Sequence, residues 1–377
     1  MIKNLILKKV THAFVFPVLS VINKYKHHES SCILLHTDLG LRDNVWALLE
    51  YLIKEKYYER YEIICSTNDY KIARKKIDKR VKIVGNVKGV IEYLKAGYVF
   101  YCFGRIPVLP GKNQVVVQMW HGTPLKDITK KSPEKYCSYV FSPSRHFVPI
   151  ISRAFGVTTS KVLVCGHPRN DKFKSGMSYD LGNYSKLVLW VPTVRKSSYL
   201  NLNNGVSCHP LPIISKERFE YLNNELSKLG VLLFVKLHPM EDSVEYENVN
   251  FSNLIIMSHR YFEEKGFDLY VLAGQSDAMI TDYSSIYFDY LLLNKPIGFT
   301  EDDIEEYKQN RGFAVSDLDM YRPGVKIRTE KELMDFLILL SEGVDNYRDE
   351  RARVNLLAND SFNGSYCQKA LSVVGIS

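Results

Sequence analysis

Residues 115–126 read Val115–Val116–Val117–Gln118–Met119–Trp120–His121–Gly122–Thr123–Pro124–Leu125–Lys126, an apolar run that passes without interruption into a turn. Consecutive β-branched residues favour an extended strand. The glycine lets the backbone approach closely and the proline stiffens the loop. In open α/β sheets, ligands gather beyond the carboxyl ends of strands, which puts His121 where a substrate is expected. A single histidine at a strand end is more often structural; the whole hexapeptide is far more specific.

Working outward, the same alternation of short apolar runs and helical patterns recurs along the chain, the signature of βαβ units around parallel sheets. In the first half, strands are predicted near Cys32–His36, Glu62–Ser66, Val81–Val84, Tyr98–Phe103, Tyr139–Phe141 and Val162–Val164, with helices near Asp43–Lys56, Lys88–Lys95 and Ser144–Phe155. Asp43–Asn44 reads as a helix cap. A polar stretch over 174–183 then interrupts the pattern, and strands near Leu187–Val191, Val231–Leu237, Leu254–Met257, Ala278–Thr281 and Ile297–Phe299 resume it. With 377 residues the chain exceeds what one core usually supports. The expected division is a basic amphipathic segment over 1–28, an α/β domain over 29–178, a second over 184–345, and a helical segment over 346–377 that can cross back. A cleft between the two domains is then available for chemistry.

Composition narrows the partners. The net charge of +8 favours anionic ones. No zinc-finger spacing, RNP-like aromatic motif or concentrated basic stripe supports a nucleic acid. Seven cysteines without a CxxC pair argue against a disulfide framework or zinc site and fit a reducing cytoplasm. No run approaches the ~18–20 apolar residues that a membrane-spanning helix needs. At the N-terminus, however, Lys3, Lys8, Lys9, Lys24 and Lys26 flank the apolar run Ala13–Ile22. That pattern reads equally as an interfacial anchor for an anionic membrane surface or as a helix packed on the domain.

Four further motifs stand at predicted strand ends. Gly166–His167–Pro168–Arg169–Asn170–Asp171 offers Arg169 to a phosphate, while Asn170 and Asp171 either orient loops or cap a helix. Val191–Pro192–Thr193–Val194–Arg195 places a second guanidinium at a strand end. In Lys236–Leu237–His238–Pro239, pleat alternation sends Lys236 and His238 to one side. In Thr281–Asp282–Tyr283–Ser284–Ser285, continuing to Asp289, a strand delivers Thr281 and Asp282 to a turn. The serines then open a helix whose free N–H groups suit a donor phosphate, with Asp289 one turn on, placed for a ribose hydroxyl. A plain serine cap is the competing account.

These motifs, together with Asn310–Arg311–Gly312–Phe313, follow in order across Asp43–Phe313, and the chain resembles the CDP-glycerol glycerophosphotransferase family of teichoic-acid and capsule primases and polymerases. The resemblance implies two Rossmann-like domains facing a cleft, a GT-B-like arrangement, with the donor held mainly by the second. It implies that His121 and His238 are the histidines important for transfer and that the Thr281–Ser285 turn seats the donor phosphates. Gly122, Thr123, Lys126, Arg169, Asn170, Asp171 and Arg311 then support the site, with Arg195 and Lys236 on the diphosphate. His167 stands where tyrosine is frequent in the family, and Val194 where an aromatic is common.

The expected reaction is attack by an acceptor hydroxyl on the β-phosphorus of CDP-glycerol or a related CDP-polyol, releasing CMP. His121 is the candidate base, although the two histidines can exchange roles. No carboxylate cluster suggests a dedicated metal; magnesium can accompany the diphosphate. A polyprenyl-linked glycan at the cytoplasmic face of the bacterial membrane is the expected acceptor, with the enzyme held there peripherally. A nucleotide-sugar glycosyltransferase on the same architecture is the alternative, which fold alone does not separate.

Overall fold

The chain is described by a computed structural model over residues 11–126, 128, 133–194, 196–197, 202–203, 211–239, 249–310, 312–315, 317–362 and 365–377. Arg195 and Arg311, two of the sequence-predicted site residues, lie outside the described residues, as do Lys3, Lys8 and Lys9.

Residues group into two units, one of 1–122, 129–171 and 360–377, the other of 123–128 and 172–359. The chain changes unit between Asp171 and Lys172, earlier than the polar stretch 174–183, and its last eighteen residues belong with the first unit. Residues 346–359, expected to lead the crossing, group with the second.

The first unit is built on a sheet of β1 (Glu29–Thr37), β2 (Glu62–Thr67), β3 (Lys82–Val84), β4 (Ala96–Tyr101), β5 (Val115–Gln118), β6 (Tyr139–Ser142) and β7 (Val162–Val164). They run in the order β3-β2-β1-β4-β5-β6-β7, with every neighbouring pair parallel. Apolar runs of this kind persist because helices cover them. Val45, Leu48, Leu49 and Leu52 of the helix Asp43–Lys54 are wholly buried in one core with Ile33, Leu35 and Ile63. The last helix, Tyr366–Ser372, contributes Cys367, Ala370 and Leu371 to that core.

In the second unit β8 (Lys186–Val191) is followed by a short antiparallel ribbon of β9 (Lys196–Ser197) and β10 (Leu202–Asn203). The main sheet continues with β11 (Val231–Lys236), β12 (Val249–Asn250), β13 (Leu254–Met257), β14 (Ala278–Thr281), β15 (Ile297–Thr300) and β16 (Val325–Ile327). Its order is β12-β13-β11-β8-β14-β15-β16, and only β12 is antiparallel to its neighbour. Burial of Leu222 and Leu226 from the helix Phe219–Leu229, and of Leu333, Phe336 and Leu337 from Glu330–Ser341, closes the core.

The N-terminal helix Phe16–Tyr25 settles against the first unit in an inverted way. Its polar side is buried: Asn23 donates to the Leu109 carbonyl at 2.9 Å and to Gln114 Oε1 at 2.8 Å, and Ser20 Oγ accepts from Leu109 N. Its apolar side faces solvent, with Val18, Val21, Ile22 and Tyr25 at 58%, 62%, 49% and 75% exposure. The helix packs on the domain, as one of the two sequence alternatives expected, and leaves most of its apolar side exposed. Among the described residues no helix is long and apolar enough to cross a membrane.

Candidate active site

β5 ends at Gln118, and the three residues after it form a tightly held turn. Trp120 adopts a φ of +59°, sparsely populated for a residue with a side chain, and Gly122 a φ of +151°. Such a backbone persists only where its surroundings over-determine it. Here Asn44 Nδ2 donates to the Trp120 carbonyl at 2.9 Å, and Arg169 Nη1 donates to the His121 carbonyl at 3.1 Å. Asp43 holds the same guanidinium nitrogen at 2.7 and 2.8 Å, and Asn44 Oδ1 accepts from the Arg169 backbone N–H. The imidazole of His121 stacks on Phe103 with centroids 4.7 Å apart and lies against Trp120 at 3.9 Å. The result is a half-exposed imidazole on a fixed stem.

Two sequence expectations change here. Arg169 is 4% exposed, and its guanidinium is committed to Asp43 and the His121 carbonyl, so it braces the turn instead of meeting a phosphate. Asp43 and Asn44, read as caps, belong to the same brace; Arg42 occupies the N-cap position. The polar pair ahead of an apolar helix was the only local signal, and a cap is its cheaper explanation. Asp171 likewise serves the frame: its two carboxylate oxygens accept from the backbone N–H groups of Tyr366 and Cys367 at 2.7 and 2.9 Å, tying down the last helix. Asn170 is buried. Gly166 has a φ of +73°, and a Cβ there would come within 2.2 Å of the Tyr366 ring.

In the second unit β11, β8 and β14 are neighbours, and their carboxyl ends assemble the other predicted residues. Thr193, just beyond β8, donates to Asp282 Oδ2 from both its N–H and its hydroxyl at 2.9 Å, while Asp282 Oδ1 accepts from Tyr283 N at 2.6 Å. Thr281 donates to the Val191 carbonyl at 2.8 Å. Thr281 and Asp282 are completely buried, so they shape the turn from beneath. Ser284 and Ser285 remain half-exposed above it. Ser285 takes the N-cap position of Ile286–Tyr290 without a side-chain capping bond, which disposes of the plain-cap account for that hydroxyl. Because this helix has only five residues, its dipole is small and the hydroxyls matter more. Asp289, expected to reach a ribose hydroxyl, is fully buried and accepts from the Tyr270 phenol at 2.6 Å.

His238 stands beyond β11, half-exposed. Burial, then Lys236 and Lys126, lower its pKa to about 3, with Asp282 opposing them. The ring is therefore neutral across the physiological range. Lys236 is itself buried, its ammonium 5.8 Å from the Phe262 ring centroid. Lys126 reaches this unit because residues 123–128 belong to it: Lys126 bridges Phe313, and Leu125 accepts from Ala314 N at 2.8 Å. The Trp120–Lys126 motif is thus divided, with His121 and Gly122 in the first unit and Thr123 and Lys126 in the second.

Two mostly parallel α/β sheets, each presenting its polar motifs on the carboxyl edge, have the GT-B-like fold. Solved structures of the wall teichoic acid polymerase TagF share the fold: one aligns with a TM-score of 0.74 at 21% identity, covering 99% of this chain and 94% of the other. Another, soaked with CDPG, aligns at 0.73 and 20%, covering 98% and 96%. The family model for CDP-Glycerol:Poly(glycerophosphate) glycerophosphotransferase matches residues 20–374, and the chain belongs to that family. The teichoic acid poly(glycerol phosphate) polymerase of Bacillus spizizenii is 26% identical over 339 residues, 78% of each chain. The teichoic acid glycerol-phosphate transferase of Staphylococcus aureus is 26% identical over 278 residues, 62% of this chain and 64% of that relative's length.

Proposed function

We propose that this chain transfers glycerol phosphate from CDP-glycerol to a teichoic-acid-type acceptor. The observation that carries the reading is the carboxyl edge shared by β11, β8 and β14. There, half-exposed serine hydroxyls, a neutral imidazole and two lysines surround a turn held from below by Asp282. Hydroxyl and ammonium donors beside a neutral ring suit a diphosphate, whose charge they offset while it is positioned. The acceptor oxygen forms a bond to the β-phosphorus, the bond from that phosphorus to the bridging oxygen breaks, and CMP carries away the electron pair. His121 takes the hydroxyl proton, because a ring lowered to about 3, as His238 is, is too weak a base. His238 instead donates a hydrogen bond to the diphosphate. The scheme calls on no resident metal, since Lys126 and Lys236 supply positive charge; magnesium can arrive with the donor.

The acceptor is proposed to be polyprenyl-linked and the enzyme to work peripherally on an anionic cytoplasmic membrane face. The uncovered side of Phe16–Tyr25, beside Lys24 and Lys26, supports that reading.

The deciding assay follows CMP release and product mass with CDP-glycerol, CDP-ribitol or UDP-sugars and a water-soluble, glycerol-phosphate-terminated acceptor analogue. CMP release with CDP-glycerol, dependent on the analogue, is expected. Transfer from a UDP-sugar alone would replace the proposal with a glycosyltransferase.

A further inference from the structure

The helix Ile304–Asn310, which follows β15, is closed by Gly312. At a φ of +69° the glycine donates from its N–H to the Lys308 carbonyl at 3.1 Å, and the chain turns back. Phe313 then forms an antiparallel bridge with Lys126, and Ala314 N donates to the Leu125 carbonyl at 2.8 Å. The backbone of Lys126 is thereby pinned. Its side chain is held as well, with the ammonium 5.6 Å from the centroid of the Tyr307 ring. Tyr307 is 1% exposed and cannot give way: its ring packs on Tyr283 with centroids 4.1 Å apart and stacks on Phe313 at 5.8 Å. Tyr283 is fully buried, donates from its phenol to Asp303 Oδ1 at 2.9 Å, and immediately precedes Ser284 and Ser285. All of these residues belong to the second unit.

We infer that Tyr307 is a positioning residue for the reaction, holding the Lys126 ammonium against its ring so that this charge and the serine hydroxyls meet the donor diphosphate as one fixed set; the inference rests on the proposed transfer. Lysine is a point charge on a flexible four-carbon stem, and a wandering ammonium loses rotamer entropy when it engages an anion. A ring locked in the core presents its negative face without further ordering. It attracts the cation and restricts it before the donor arrives. The charge of Lys126 is felt at the same sheet edge, because after burial and Lys236 it helps to lower the pKa of His238. The stack on Tyr283 ties that ammonium to the turn bearing Ser284 and Ser285. If Tyr307 only filled the core, the charge distribution of its ring would be immaterial, and any ring of the same shape would serve.

The test keeps the shape of the ring and removes its charge distribution. Tyr307→Phe deletes only a hydroxyl, so the fold is retained; the same variant is also made with that phenylalanine progressively fluorinated on its ring. Each full chain is titrated calorimetrically with CDP-glycerol, once with Lys126 present and once with Lys126→Met. A cation–π contact is worth about three- to thirtyfold in affinity. A fall of that size from the unfluorinated to the fully fluorinated ring is expected when Lys126 is present, and a level affinity in the Lys126→Met background, since the two residues then share one effect. Equal loss in both backgrounds, or no loss with Lys126 present, overturns the assignment and returns Tyr307 to the core. Inorganic pyrophosphate titrated in parallel separates this inference from the reaction it rests on. A protein that binds pyrophosphate with the same dependence on fluorination, yet does not bind CDP-glycerol, refutes the transfer and keeps the positioning role. One that binds neither anion overturns both.

Discussion

At the residue scale, His121 and His238 play unlike parts and should fail differently. His121→Ala is expected to lower kcat by ~10²–10⁴, the usual worth of a positioned acid–base group, with donor affinity intact. His238→Ala should also weaken CDP-glycerol binding, because its ring is assigned to the diphosphate. Single-turnover rates and calorimetry separate the two, and near-normal turnover in both variants would remove the site. Asp43 acts at one remove. Replacing it with Asn leaves the buried Arg169 guanidinium without its charge partner, and breaking a buried pair costs about 3–5 kcal/mol. Asp43→Asn should therefore depress the thermal midpoint and kcat together, whereas His121→Ala should leave the midpoint almost unchanged. Scanning calorimetry beside kinetics reads both.

At the scale of elements, the turn after β14 and the N-terminal helix carry the next expectations. Ser284 and Ser285 together changed to alanine should weaken CDP-glycerol binding more than acceptor binding, measured by titrating each separately. Equal donor affinity would return the serines to a structural role. For Phe16–Tyr25, the polar side holds the helix to the domain through Asn23 and Ser20, so charges can be placed on the opposite side without unfolding it. Val18→Glu with Val21→Glu should abolish sedimentation with anionic vesicles and leave the melting temperature unaltered. In the unmodified protein the association should weaken with salt, as screening shortens the reach of Lys24 and Lys26. Vesicle binding unaffected by both substitutions would place the membrane contact elsewhere.

For the whole molecule, the buried His36 and the half-exposed His238 set the acid limb of stability. His36, wholly buried, has its pKa lowered to about 4 by desolvation, with Asp38 opposing, and His238 is lowered to about 3. Each binds a proton more readily in the unfolded chain, near pH 6.5. The unfolded state therefore gains protons first, and stability falls as the pH drops from about 6.5 towards 4. Thermal midpoints across that interval should decline, and His36→Gln should flatten the decline if it folds. A midpoint constant from pH 6.5 to 4 would contradict the lowered pKa of both rings.

Much of this architecture was legible from one dimension because strands such as Val115–Gln118 and Val231–Lys236 are nearly all apolar and end in polar turns. Parallel sheets buried on both faces demand that pattern. The helix Tyr70–Lys76 and the strand Val325–Ile327 escaped notice because each is short, whereas the last helix Tyr366–Ser372 falls within the helical segment expected over 346–377 and is tied to its unit by Asp171. Site motifs were found by their place at strand ends, but the division of labour within them was hidden. Arg169, Asp282 and Asp289 look like ligands as residue types, yet each is consumed by a partner 19 to 126 positions away. Residue order specifies which groups stand at the sheet edges, since strand periodicity is local. Which of them reach solvent depends on contacts between remote segments, because burial and hydrogen bonding are settled only when those segments meet.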